Sequence, residues 1–171
     1  IIRMVMINQI RIVVISFDSN YIAKSLGLCQ AIKKQCNGAI CIAVGHAATY
    51  CTQQVCYKTS PIDYAVRGEY QFVLSELIPS ELRCPGAVEQ YVKNGSVYSC
   101  TSKNLSMLHI VDDINLLPAA PRNKREMKAY HNVVPIPSMK RLVWGWVFTT
   151  YGCPNECTFC TQTVRLTYGK K

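Results

Sequence analysis

Two short apolar runs, Arg11-Ile-Val-Val-Ile-Ser16 and Ala39-Ile-Cys-Ile-Ala-Val44, decide the fold. Runs of this length, rich in β-branched residues, are typical of strands that are buried on both faces of a parallel sheet. Between them, apolar residues recur at every third or fourth position, which predicts a helix from about Tyr21 to Gln35. A strand, a helix and a second strand in this order predict two parallel strands joined by a helical crossover.

The same alternation continues downstream. The pattern predicts a helix from about Ala48 to Tyr57, a strand over Ile62 to Val66 and a helix over Gln71 to Ile78. Together these elements predict an α/β fold with a partial doubly wound parallel sheet in residues 1–80. Three strands are few for such a sheet, so we expect a preceding portion, and residues 1–10 could be the tail of its last helix.

The pattern changes after this domain. Two extended segments, Ala87–Val92 and Ser96–Thr101, flank Asn94-Gly95, which predicts a hairpin. Prolines and basic residues then indicate a linker, and the apolar run from Leu142 to Thr150 predicts a new strand. We therefore divide the rest of the chain into a hairpin with its connecting segment, a linker and the truncated start of a second domain: 81–117, 118–141 and 142–171.

Charge and composition limit the partners and the cellular location that we expect for the protein. The net charge is +9, and the segment from Pro121 to Lys171 holds nine basic residues against two acidic ones. No strand interleaves basic and aromatic residues, so nucleic-acid binding is not expected. Polar residues interrupt the apolar residues 1–17, so we expect no transmembrane span. Without a signal peptide, ten cysteines fit a reducing cytosol, and the predicted location is cytoplasmic.

Three cysteines near the C-terminus, Cys153, Cys157 and Cys160, lie within eight residues. A loop this short must bring their thiolates to one centre. A structural zinc site needs four protein ligands, and the candidate His131 lies 22 residues upstream of Cys153. A cubane iron–sulfur cluster usually takes four cysteines, so three would leave one iron open. The spacing favours an iron–sulfur cluster, with zinc as the alternative.

The segment from Gly152 to Cys160, including the aromatic Phe159, resembles the cluster loop of the radical S-adenosylmethionine enzymes. The resemblance implies a [4Fe–4S] cluster on Cys153, Cys157 and Cys160, with S-adenosylmethionine on the open iron and Phe159 beside it. It also implies an external electron donor of the flavodoxin or ferredoxin type. In that family the loop follows the first strand of a (β/α) barrel, so 142–171 would open that barrel.

Polar or small residues follow each of the three predicted parallel strands. They are Ser16, Gly45-His46 and Arg67-Gly68-Glu69. Ligands of open α/β sheets bind at the carboxyl ends of the strands, so these residues would line one crevice. The alternative is that Gly45 and Gly68 allow tight turns and that His46 is an ordinary polar loop residue.

The spacing of Ser16 and Gly45-His46 is similar to that of Rossmann-like cobalamin-binding domains, which carry a serine after one strand and Gly-Gly after the next. The segment from Asp63 to Glu69 looks like the strand and turn that follow in cobalamin-binding radical S-adenosylmethionine proteins. The resemblance implies cobalamin contacts from Ser16, Gly45, His46, Arg67, Gly68 and Glu69. Two departures are His46 in place of the second glycine and Asp18 in place of an apolar residue. The Asp-x-His-x-x-Gly cobalt-ligand segment of some relatives is not seen.

These features lead to one main expectation and two alternatives. The main one is a cobalamin-dependent radical enzyme that transfers a methyl group to an unactivated carbon of a small-molecule or lipid-like substrate, with residues 1–171 inactive alone. No catalytic residue is assigned. The first alternative is a methylthiotransferase-like enzyme acting on RNA or protein, with a second cluster drawn from Cys29, Cys41, Cys51, Cys56 and Cys84. The second is a structural zinc-binding interaction module.

Overall fold

A computed structural model describes residues 1–84, 92, 97–99, 113–116, 153, 155 and 157–159 of the chain. Five helices have both ends in this part: α1 (Ile2–Ile7), α2 (Ile22–Gln35), α3 (His46–Tyr50), α4 (Thr52–Val55) and α5 (Gln71–Arg83). The four strands are β1 (Ile12–Ser16), β2 (Ile40–Val44), β3 (Tyr64–Ala65) and β4 (Tyr98–Ser99). Two short 3₁₀ turns cover Ser19–Tyr21 and Ile114–Leu116.

The strands form one sheet in the order β1-β2-β3-β4. β1, β2 and β3 run parallel, with Ile12 opposite Ile40 and Ile42 opposite Tyr64. β4 pairs antiparallel with β3. The prediction of a mixed α/β fold with a mostly parallel sheet is confirmed. Of the predicted extended segment from Ala87 to Val92 the structure describes only Val92, which is helical rather than extended. The predicted barrel strand from Leu142 to Thr150 lies outside the described residues.

The sheet carries a hydrophobic core on each face. Successive side chains of a strand point to opposite faces, so Cys41 and Ala43 belong to one core and Ile42 and Val44 to the other. The first core includes Cys29 and Ile32 of α2, and the second includes Val73 and Leu77 of α5. Helices therefore pack on both faces of the sheet, which explains the continuously apolar sequence of β2. The prediction that β1 is buried as well is wrong, because β1 is the end strand of the described sheet and its residues are half-buried or exposed, with Val14 36% exposed.

The predicted single helix from Ala48 to Tyr57 is wrong. The segment starts two residues earlier, at His46, and consists of the two short helices α3 and α4 with a break at Cys51. The Thr52 hydroxyl donates to the carbonyl oxygens of Ala48 and Thr49, at 2.7 and 3.1 Å. Hydroxyl groups that bond to the preceding turn compete with the regular helical ladder, which accounts for the interruption.

Helix α5 extends further than the sequence predicts. It runs through Pro79 to Arg83 instead of ending at Ile78. The proline has no N–H to donate, but the buried face of the helix, Val73, Leu77 and Glu81, continues beyond it. The helix therefore continues past the proline, with Glu81 as its next buried residue.

Strand β3 is shorter than the predicted Ile62 to Val66, because Asp63 bonds with its side chain as well as its backbone. Asp63 Oδ2 accepts from the Cys41 N–H at 2.7 Å and from Lys33 Nζ at 2.6 Å. The Asp63 N–H donates to the Cys41 carbonyl oxygen at 3.0 Å. This residue thus ties α2 to the sheet. Across the described ranges, no helix has both the length and the apolar character needed to cross a membrane.

Candidate functional site

The carboxyl ends of β1, β2 and β3 meet at one edge of the sheet. Just beyond β1, the Phe17 N–H donates to the Val44 carbonyl oxygen at 2.8 Å, and the Phe17 carbonyl oxygen accepts from the Ala47 N–H at 2.9 Å. Just beyond β3, the Val66 N–H donates to the Ala43 carbonyl oxygen at 2.9 Å. These bonds bring Ser16, Gly45-His46 and Arg67-Gly68 to the same edge, which we call the carboxyl edge, as expected for parallel strands.

Two glycines shape the turns at the carboxyl edge. Gly45 has φ +90° and ψ −163°, and Gly68 has φ +78°, conformations that side chains with a Cβ rarely adopt. A Cβ on Gly45 would lie 2.9 Å from Ser16 Oγ. Both turns therefore depend on the conformational freedom of glycine, which does not decide between a structural role and a ligand-binding one. Gly45 also lets the turn after β2 approach the Ser16 hydroxyl closely.

Thr49 joins the two turns, and the sequence interpretation missed it. Its side chain is 2% exposed. Its Oγ1 donates to the Gly45 carbonyl oxygen at 2.8 Å and accepts from the Gly68 N–H at 3.0 Å. Its own carbonyl oxygen accepts from Arg67 Nε at 3.2 Å. The bond from Thr49 to the Gly45 carbonyl oxygen has one local signal in the sequence, a threonine four residues after the turn glycine. Threonine hydroxyls commonly donate to the carbonyl oxygen four residues earlier.

Arg67 places a partly buried positive charge at the carboxyl edge. It lines a cavity of about 210 Å³ together with residues 49–54. Burial lowers the pKa of its guanidinium, and the nearby Tyr50 and Tyr98 raise it in opposition. A guanidinium remains charged at any ordinary pH, so Arg67 contributes a positive charge to the lining of this cavity.

The remaining predicted residues of this edge differ in exposure. Ser16 and His46 are exposed, and the His46 ring packs on Tyr50 with centroids 4.8 Å apart at 52°. Gly68 is buried, and Glu69 is only 1% exposed. Ser16, His46 and Arg67 are thus accessible to a ligand, while Gly68 and Glu69 lie beneath the surface.

Asp18 has a local structural role. Its Oδ1 accepts from the Asn20 N–H at 2.9 Å and caps the 3₁₀ turn before α2. This capping accounts for an acidic residue at a position where the cobalamin-binding resemblance has an apolar one.

The cysteine loop is described only in part. Cys153 and Cys157 are half-buried, and the Phe159 side chain is 90% exposed. Cys160 and His131 lie outside the described residues. The part of the chain that the structure describes holds no group of three His, Cys, Asp or Glu side chains that could bind a metal ion. Ligation by the three loop cysteines remains a prediction.

The cysteines of the α/β part do not gather into a cluster site. Cys29, Cys41 and Cys56 are buried in the first core, Cys51 is half-buried and Cys84 is exposed at the end of α5. Among residues 1–84 these thiols form no metal-binding group of three. Cys29, Cys41 and Cys56 thus behave as small apolar residues that fill a core.

Comparison of the chain with protein-family models, with curated proteins and with solved structures found no match.

Thr49→Val should destabilise the protein more than Thr49→Ser. Valine keeps the shape of threonine but leaves the buried Gly68 N–H without its acceptor, which costs about 1–3 kcal/mol. Serine keeps the hydroxyl and removes only one methyl group. Urea unfolding of both variants beside the parent protein measures the difference. Equal stability of the two variants would show that Thr49 does not hold the Gly45 and Gly68 turns together.

Proposed function

We propose that the chain is part of a cobalamin-dependent radical S-adenosylmethionine enzyme that transfers a methyl group to an unactivated carbon. The observation that carries the proposal is the sequence of three cysteines, Cys153-x-x-x-Cys157-x-x-Cys160, with Phe159 before the last. Thiolates are the ligands that iron–sulfur clusters take, and three of them leave one iron for S-adenosylmethionine. The half-buried state of Cys153 and Cys157 is compatible with a shared ligand.

In this proposal the chain's own groups hold and orient the cofactors. Cys153, Cys157 and Cys160 ligate the cluster, and the exposed Phe159 is available to pack beside S-adenosylmethionine. When bound, the cluster and S-adenosylmethionine supply one-electron chemistry capable of opening an unactivated C–H bond. The electron comes from a flavodoxin- or ferredoxin-type donor, the substrate is small or lipid-like, and the setting is the cytoplasm.

The carboxyl edge supports the cobalamin part of the proposal. We regard the α/β part, with helices on both faces of a mostly parallel sheet, as a Rossmann-like domain that binds cobalamin at this edge. Gly45 has no side chain to block a close approach, and Ser16 and His46 offer exposed polar groups beside it. Arg67 adds a cation at the adjacent cavity, where the phosphate of a nucleotide tail would be favoured.

The burial of the other cysteines favours one cluster over two. The methylthiotransferase alternative needs three thiols that converge on a second cluster. Cys29, Cys41 and Cys56 are instead fully buried among apolar side chains of the first core. The zinc alternative needs a fourth ligand, which the sequence places no nearer than His131.

Iron content after anaerobic reconstitution tests the first half of the proposal. We expect a brown protein with about four irons per chain. About eight irons would support the methylthiotransferase alternative instead. A colourless, zinc-loaded protein would refute the iron–sulfur proposal.

Cobalamin retention tests the second half. We expect the chain to carry hydroxocobalamin through gel filtration in about a 1:1 ratio, because the carboxyl edge offers both polar groups and a cation. Arg67→Ala should weaken retention. Arg83→Ala is the matched control, since Arg83 is exposed at the end of α5. Absence of cobalt in the protein peak would rule out cobalamin binding while leaving the cluster proposal in place.

A further inference from the structure

The outer side of β1 is an unpaired strand edge in the described part of the sheet. β1 is the end strand, and β2 is its only partner among the described strands. The Arg11 carbonyl oxygen, just before β1, accepts from the Ile40 N–H at 2.7 Å and so faces β2. Peptide groups of successive residues in a strand point to alternate sides, so every second residue directs its N–H and C=O away from β2. These outward-facing residues are Ile12, Val14 and Ser16.

The edge of β1 lacks the features that usually prevent strands of different molecules from pairing. Natural edge strands are commonly protected by a lysine, a proline or a bulge. The segment Ile12–Ser16 contains neither lysine nor proline, and its register with β2 is regular over all five residues. Val14 at its centre is 36% exposed, and Ile10 shortly before it is 39% exposed. The described edge therefore offers both backbone groups and apolar side chains to a further strand.

The charges at the two ends of this edge are opposite in sign. Arg11 immediately precedes β1, Asp18 follows the strand by two residues, and both side chains are exposed. An antiparallel second copy of β1 would bring the Arg11 end of each strand to the Asp18 end of the other. A parallel strand of the same sequence would instead bring like charges together. The edge is therefore complementary in charge to a second copy of itself in the antiparallel orientation.

We propose that two copies of the chain associate through their β1 edges, as an antiparallel pair of strands centred on Val14. In this register Ile12 pairs with Ser16 of the second copy, and Val14 faces its own counterpart at a two-fold axis. Three residue pairs that exchange two hydrogen bonds each would join the two sheets by about six N–H···O=C bonds. Both copies use the same edge, so the assembly closes as a dimer. This surface does not depend on the proposed function.

Sedimentation of the whole chain, with a reductant to prevent disulfides between copies, tests the dimer. The contact is small and consists mainly of backbone groups, so we expect reversible association with a Kd of about 10–100 μM. The sedimenting mass should rise from 19.2 kDa towards twice that value as the protein concentration passes through this range. A chain that is still monomeric at about 300 μM would overturn the proposal, including the case in which another segment of the same chain occupies the edge.

Substitutions at the centre of the edge test whether β1 forms the contact. Val14→Lys should raise the Kd at least about tenfold, because two like charges would face each other across the axis. Val14→Thr keeps a β-branched side chain and should dimerise as the parent protein does. Leu82→Lys makes a similar change at a 50% exposed position of α5 and should also leave the dimer intact. A Val14→Lys protein that dimerises like the parent, or a monomeric Leu82→Lys protein, would contradict association through β1.

A charge reversal at the end of the edge tests the orientation of the two strands. Arg11→Glu would place like charges beside Asp18 at both ends of the contact, so the Kd at low salt should rise about tenfold. High salt should reduce this difference from the parent protein, because it screens exposed charges. Arg3→Glu is the matched control, since it makes the same charge change at an exposed position of α1. Dimerisation of Arg11→Glu at the parent's Kd in low salt would refute the antiparallel pairing.

Discussion

Cys157→Ala should lower the iron bound after anaerobic reconstitution from about four atoms per chain to near background. Two thiolates cannot hold a cubane that already relies on three, so the loss should be almost complete rather than partial. Cys157 is half-buried, so its replacement removes a ligand without opening a core cavity. Iron and sulfide assays, together with the visible absorption of the cluster, measure the effect.

Cys84→Ala is the control for this variant. Cys84 is an exposed thiol after α5, and its loss should leave the iron content unchanged. The pair separates specific ligation from iron that binds to any available cysteine. An unchanged iron content in Cys157→Ala would refute the cluster assignment, and loss of only half of the iron would indicate a second cluster elsewhere.

The parallel sheet could be predicted from the sequence because short apolar runs mark its first two strands. β1 and β2 are unbroken apolar runs, but only β2 proved to be buried on both faces, whereas β1 is half-buried or exposed along its length. β3 was harder, because the side chain of Asp63 bonds to the Cys41 N–H at 2.7 Å and ends regular pairing. The break at Cys51 likewise depends on hydroxyl bonds of Thr52, which periodicity does not reveal.

The sequence predicted where the candidate site lies in the fold, but it did not predict which of its residues are exposed to solvent. Parallel strands align their carboxyl ends, so the sequence alone could bring Ser16, Gly45 and Arg67 to one edge. Neighbouring residues there differ sharply, since Arg67 is half-buried and Glu69 is 1% exposed. Exposure of this kind depends on how the turn after β3 packs, which is a tertiary property. The Thr49 contact with Gly68 spans 19 residues and has no local signal either.

Gly45→Ala should be among the most destabilising single substitutions at the carboxyl edge. With φ +90° and ψ −163°, the residue occupies a region that essentially only glycine adopts, at a cost of about 1–3 kcal/mol for other residues. The new Cβ would also lie 2.9 Å from Ser16 Oγ and 3.4 Å from the Phe17 carbonyl oxygen. The backbone oxygen cannot swing away as a flexible side chain can. We expect a total loss of about 3 kcal/mol in the free energy of unfolding.

Gly27→Ala is the matched control, because it makes the same chemical change inside α2. A Cβ at Gly27 meets no atom within 4 Å, and alanine favours the helix by about 0.5–1 kcal/mol over glycine. Urea unfolding should therefore shift in opposite directions for the two variants. Combining Gly45→Ala with Ser16→Ala removes the closest contact but not the backbone strain, so it should restore only part of the loss. Full recovery in the double variant would show that the close approach to Ser16, rather than the backbone conformation, requires glycine at position 45.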